Sequence, residues 1–116
     1  MRLFPLLLLL LAPNLAAAGT RIVASIEPLA MVAREVAAPE SAVNTLMHPG
    51  QSLHGASLTP GQVRALRDAS LFVWLGPEAE PQLAPLVAQR AGPDLALLSL
   101  EGVHRLHAGD QDAHEH

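Results

Sequence analysis

The sequence contains no cysteine and no lysine among its 116 residues. The lack of cysteine excludes thiolate zinc sites, iron–sulfur clusters and disulfide bonds, so histidine and the carboxylates remain as possible metal ligands. Because lysine is missing, all 7 basic residues are arginine, and the net charge is −4. We therefore expect no basic nucleic-acid-binding face and no nucleic-acid partner.

The N-terminus has the pattern of an export signal. Arg2 provides a positive charge, residues 3–12 form an apolar stretch, and residues 16–18 are small. This pattern predicts a signal peptide over residues 1–18, because the apolar stretch is too short to cross a bilayer. We expect an extracytoplasmic mature chain that begins near Gly19 and has no integral membrane span. The alternative is an uncleaved anchor.

Half of the residues are apolar, which is enough for one packed domain. Short apolar runs bounded by glycine and proline predict four strands, at residues 21–26, 42–47, 70–75 and 94–100. The intervening segments predict three helices, over residues 28–37, over residues 60–68 and between residues 81 and 90. This alternation predicts the α/β fold class, with a parallel four-stranded sheet and flanking helices over residues 19–100.

The second predicted helix has a defined start. Thr59 is placed to cap it, Pro60 suits its first position, and Gln62 completes a capping box with Thr59. Its spacing predicts that Val63 and Leu66 face the core.

Two other predictions concern the core and the third helix. The first helix carries a stripe that should be buried, namely Leu29, Val32, Ala33 and Val36. Trp74 lies in a continuous apolar run and is predicted to be in the core. Pro85 is unfavourable inside a helix, so the regular part of the third helix is expected to begin there.

The loop over residues 48–57 presents His54 in a glycine- and serine-containing context. Ligands of parallel sheets bind beyond the carboxyl ends of the strands, so we expect His54, Glu78 and Glu80 on one rim. Imidazole is a common ligand of borderline divalent ions, which makes His54 a candidate metal ligand. The alternative is an ordinary surface histidine, and His48 is a possible second imidazole.

Glu78 and Glu80 have two interpretations. They could act as general acid and base in a metal-dependent hydrolase, but the sequence offers no nucleophile or oxyanion hole beside them. Two solvated acids at a helix start fit the pattern better. The chain is therefore predicted not to be an enzyme, and no catalytic residue is assigned.

The last segment, residues 101–116, is acidic and rich in histidine and has little periodicity. We predict a solvated tail or loop in which four histidines could bind metal loosely, at His104, His107, His114 and His116. The alternative is a polar linker.

The order VASIEPLAMVAREVA, then VNTLMHPGQSLHGASLTPGQVRALRDASLFVWLGPEAE, resembles the periplasmic solute-binding components of bacterial zinc and manganese ABC importers. The resemblance covers residues 21–100 and is nearest to the high-affinity zinc-binding members. It implies the N-terminal lobe of a two-lobed protein that holds metal between its lobes. It also implies that the partners are a zinc ion and the membrane permease of an ABC transporter.

By this resemblance, His54 corresponds to the first metal-binding histidine of the amino lobe. A histidine-rich loop after the fourth strand is typical of the zinc members, so zinc is favoured over manganese as the ligand. The family often places a carboxylate beside the loop histidine, whereas Leu53 and Gly55 flank it here. The later ligands of the family lie beyond the chain, so we expect a truncated amino lobe. A stand-alone periplasmic metal buffer that uses only the tail is the alternative.

Overall fold

The computed structural model of the chain describes residues 19–51 and 57–104. The signal peptide predicted over residues 1–18 lies outside these residues. The described part contains four strands, β1 (Arg21–Ala24), β2 (Ala42–Thr45), β3 (Leu71–Trp74) and β4 (Asp94–Ala96). It contains three α-helices, α1 (Glu27–Val36), α2 (Pro60–Asp68) and α3 (Ala84–Ala88).

The four strands form one parallel sheet in the order β2-β1-β3-β4, which confirms the predicted fold class. The chain moves from β1 to β2 on one side and then crosses to β3 on the other. The gap between the carboxyl ends of β1 and β3 is therefore a topological switch point, the place where open α/β sheets bind ligands.

The sheet is covered differently on its two faces. On one face α2 and α3 pack over a core centred on the buried Phe72, with Leu66 and Leu83 beside it. On the other face α1 packs over β1 and β2. Trp74 is buried as predicted, and its indole N–H donates to Asp94 Oδ2 at 2.8 Å.

The prediction for the buried stripe of α1 is half wrong. Leu29 and Ala33 are buried, whereas Val32 and Val36 are 62% and 80% exposed. The helix turns Ala30 toward the sheet instead. The two exposed valines line an apolar groove of about 420 Å³, together with Ile22, Leu29, Ala33, Ala37, Leu71, Val73, Leu95 and Leu97. This groove lies where β3 and β4 have no helix over them among the described residues.

The fourth strand is shorter than predicted. It ends at Ala96, and Leu97–Ser99 form a 3-10 helix. The strand pairs with β3 only as far as Trp74. After the end of β3, Gly76 turns the chain away from the sheet with a φ of 125°. The Leu98 amide donates to the Leu75 carbonyl at 3.0 Å, and this bond holds the tight turn after Ala96 against the end of β3.

The other predicted elements agree closely with the structure. Strands β1, β2 and β3 are each one or two residues shorter at an end than predicted. Pro85 lies in the first turn of α3, as expected. In α2 Leu66 is buried, but Val63 is only partly buried, and Gln62 occupies the buried position instead.

Candidate metal site at the carboxyl edge of the sheet

The loop that follows β2 begins at the carboxyl edge of the sheet. His54 lies within residues 52–56, outside the described residues, so its predicted role stays a prediction. The structure describes both ends of this loop, up to Gln51 on one side and from Ser57 on the other.

The first end of the loop is a tight turn. The Gln51 amide donates to the His48 carbonyl at 3.0 Å, which closes the turn around Pro49 and Gly50. Gly50 has a φ of 81°, the left-handed conformation that glycine adopts without steric cost. Proline followed by such a glycine is the signature of a type II turn. The sequence therefore sets the direction in which the loop leaves the sheet.

Gln62 joins the turn to α2 and to β2. Its side-chain amide donates to the Leu46 carbonyl at 2.9 Å and to Gln51 Oε1 at 2.7 Å. Gln51 Oε1 also accepts from the His48 amide at 3.1 Å. A largely buried glutamine thus connects the strand end, the turn and the helix in one network.

The second end of the loop is fixed by the predicted capping box. Thr59 Oγ1 accepts from the Gln62 amide at 3.2 Å, and Gln62 Oε1 accepts from the Thr59 amide at 2.9 Å. The same residue therefore holds both ends of the loop that carries His54. Sequence analysis found the capping box but missed the contacts of Gln62 with Gln51 and Leu46, because those depend on the path of the chain.

Beside this loop, Glu27 occupies the first turn of α1. Its carboxylate accepts from the Arg34 guanidinium at 2.7 Å and from the Thr45 hydroxyl. The hydrogen bond from Arg34, followed by that from Thr45, holds the pKa of the Glu27 carboxyl below its ordinary value. The group is therefore ionised at neutral pH.

An open cleft of about 480 Å³ separates α1 from the turn. Its walls carry charged and polar groups as well as apolar ones, namely Ile26, Glu27, Thr45, Met47, His48, Pro49 and Gln51. His48 is exposed and also borders a second cleft of about 260 Å³ next to α2. The predicted second imidazole thus lies at the sheet edge, while sequence analysis did not anticipate Glu27 beside it.

Glu80 differs from its predicted solvated state, whereas Glu78 is exposed as expected. Glu80 is only 2% exposed, and its carboxylate accepts from the Leu75 amide at 2.8 Å. No helix starts at these acids, because α3 begins later, at Ala84. The carboxylate instead caps the end of β3, where Gly76 turns the chain.

The structure describes only residues 101–104 of the predicted tail, so the metal-binding role of its histidines stays a prediction. His104 is exposed, and His107, His114 and His116 lie outside the described residues. Within residues 19–51 and 57–104, no group of three or more histidine, aspartate or glutamate side chains is arranged to hold a metal ion. The described residues therefore do not contain a complete zinc ligand set.

A family model described as zinc-uptake complex component A, periplasmic, matches residues 22–116. The chain belongs to this family. The high-affinity zinc uptake system protein ZnuA of Yersinia pestis is 36% identical over 96 residues, which are 82% of this chain and 30% of the relative. ZnuA of Paracoccus denitrificans is 33% identical over 87 residues, which are 73% of this chain and 27% of that protein. The chain thus spans about 30% of the length of these family members.

Solved structures share the fold. The periplasmic zinc-binding protein TroA of Treponema pallidum matches with a TM-score of 0.60 at 22% identity, over 68% of this chain and 29% of TroA. The Zn(II)-bound ZnuA-like domain of AdcA from Streptococcus pneumoniae matches with a TM-score of 0.62 at 21% identity, over 81% of this chain and 35% of that chain. A Mn-bound periplasmic metal binding protein from Candidatus Liberibacter asiaticus matches with a TM-score of 0.65 at 16% identity, over 80% of this chain and 35% of that chain. None of the helices in the described part of this chain is long and apolar enough to cross a membrane.

Proposed function

We propose that the chain is the amino-terminal lobe of a periplasmic zinc-binding protein that delivers zinc ions to the membrane permease of an ABC importer. The family match over residues 22–116 carries this proposal. Both curated relatives are named as zinc uptake proteins. The protein transports its ligand and does not transform it, so no catalytic residue is assigned.

His54 is the proposed ligand of the ordered site. Its loop leaves the carboxyl edge of the sheet between two ends that Gln62 fixes. This arrangement supports the role, because restricting both ends of a loop lowers the entropy lost when its middle binds an ion. Since zinc sites use about four ligands, His54 needs further ligands to complete the site.

The histidine-rich segment is proposed to collect zinc loosely. Its residues His104, His107, His114 and His116 lie among four acids. The four imidazoles suit exchangeable binding of zinc in preference to manganese, because imidazole favours zinc whereas oxygen ligands favour manganese. Residues 1–18 are proposed to direct export. Mass spectrometry of the exported protein should show that the chain begins near Gly19.

Zinc titration of the exported protein tests this division of roles. The parent is compared with His54→Ala and with a tail variant in which the four tail histidines are alanine. We expect His54→Ala to retain its circular dichroism spectrum and to weaken the tightest zinc binding by at least about tenfold, because an organised ligand is lost. The tail variant should lose the weak, multiple binding. Unchanged affinity in His54→Ala, with all binding lost in the tail variant, would instead indicate a stand-alone metal buffer.

A further inference from the structure

We propose that His48 and Glu27 form a second, weak zinc-docking site at the carboxyl edge of the sheet, and that Arg34 competes with zinc for the Glu27 carboxylate. The choice of zinc rests on the proposed function. The site itself is defined by the described residues and does not include His54.

The two candidate ligands face the same space. His48 lies three residues after β2 ends, and Glu27 lies in the first turn of α1. Both line the 480 Å³ cleft, which is open to solvent. Thr45 lines the same cleft, and its hydroxyl donates to the Glu27 carboxylate.

The main chain of His48 is fixed, and its imidazole remains available. The backbone amide donates to Gln51 Oε1, and the backbone carbonyl accepts from the Gln51 amide. Within the described part of the chain, the imidazole ring itself makes no hydrogen bond. A ligand on a rigid backbone loses less conformational freedom on binding than one on a flexible loop.

Glu27 supplies the negative charge and Arg34 limits it. The carboxylate is ionised at neutral pH and about half of its side-chain surface is exposed, at 54%. The Arg34 guanidinium lies 2.7 Å from Glu27 Oε1. An incoming zinc ion must displace this cation or bind next to it, and like charges at such short range repel strongly.

The ligand set explains why the site is weak. One imidazole and one carboxylate leave the remaining zinc positions to water, whereas tightly held zinc uses about four protein ligands. Such a site releases its ion readily. Located on the rim that leads to the His54 loop, it would hold zinc briefly before the ion reaches the ordered site.

Zinc titration by NMR tests the proposal in the complete exported chain. Long-range nitrogen–proton spectra report each imidazole separately, and a set of single histidine-to-alanine variants assigns them. The parent is compared with Glu27→Gln and Arg34→Gln. Both variants break the same exposed ion pair, so any structural effect of losing the pair is shared. Glu35→Gln, an exposed change on α1 outside the cleft, controls for net charge, and His104 is the control imidazole.

The two variants should change zinc binding at His48 in opposite directions. We expect Glu27→Gln to raise the zinc concentration for half-maximal shift of the His48 ring by at least about tenfold, the scale of losing one partner in a metal site. Arg34→Gln should lower it, and Glu35→Gln should leave it nearly unchanged. His104 should respond alike in every protein.

The proposal is overturned if zinc does not move the His48 resonances, or if Glu27→Gln and Arg34→Gln shift the half-maximal concentration in the same direction. It is also overturned if Glu35→Gln has the same effect as Glu27→Gln, because long-range charge would then explain the result. The same spectra report His54. If zinc shifts the His54 resonances and not those of His48, only the docking site is refuted. If zinc shifts the His48 resonances and not those of His54, only the proposed ligand of the ordered site is refuted.

Discussion

Gln62 should be a main determinant of stability in this chain, although it is a polar residue on a helix. Replacing it by alanine removes the side-chain hydrogen bonds to the Thr59 backbone amide, the Leu46 backbone carbonyl and the side-chain amide group of Gln51. Each of these three contacts contributes about 1 kcal/mol net. We therefore expect Gln62→Ala to lower the free energy of unfolding by about 3 kcal/mol, a large share of the total for a small domain.

Urea unfolding followed by circular dichroism measures this loss. A decrease of about 3 kcal/mol corresponds to a midpoint lower by between about 1 and 3 M urea. Gln82→Ala is the matched control, because Gln82 is exposed and should change stability by less than about 0.5 kcal/mol. Gln62→Glu keeps the acceptors for Thr59 and Gln51 but directs a carboxylate oxygen at the Leu46 carbonyl, so it should be at least as destabilising as alanine. A loss below about 1 kcal/mol in Gln62→Ala would show that the network does not hold the loop.

Three further predictions follow from particular side chains. Glu80→Ala should lower the free energy of unfolding by about 1–3 kcal/mol, because the Leu75 amide after β3 loses its acceptor. Glu80→Gln keeps an acceptor and should cost clearly less, and equal losses in the two variants would contradict this explanation. The hydrogen bond from Arg34 lowers the pKa of the Glu27 carboxyl in the folded protein. This bond therefore stabilises the fold fully at a pH above the ordinary pKa of 4.5, and the stabilisation is lost as the pH falls through the lowered pKa. The stability difference between the parent and Glu27→Gln should therefore be constant near neutral pH and close in acid, and a difference that grows in acid would refute the assignment. Val36→Asp should reduce binding of the dye ANS to the apolar groove, and it should not destabilise the fold because Val36 is already 80% exposed. Met31→Asp on the same helix lies outside the groove and should leave ANS binding unchanged.

Much of the fold could be predicted from the sequence because its signals are local. The capping box of Thr59 and Gln62 lies within one turn, and the continuous apolar run around Trp74 identifies a buried strand. Glycine and proline mark where these elements end. The order of strands in the sheet is different, because it depends on which strands pair across long separations in the chain.

The errors have the same cause. Val32 and Val36 have the right spacing for burial, but α1 packs over β1 and β2 and leaves them beside the open groove. Glu80 has the composition of a solvated acid, yet it is buried because the turn after β3 brings its carboxylate to a backbone amide. Periodicity states which residues share a face, and it does not state what that face meets.

The sequence alone determined the class of fold, the starts of the helices and the histidines available for metal, because these follow from residue type and short-range spacing. Only the tertiary structure decided that Gln62 connects both ends of the loop that carries His54, and that Glu27 of α1 and His48 after β2 line one cleft. Those contacts join residues far apart in the chain, and they exist because β1 and β2 pair in parallel and bring α1 and the loop to the same edge of the sheet.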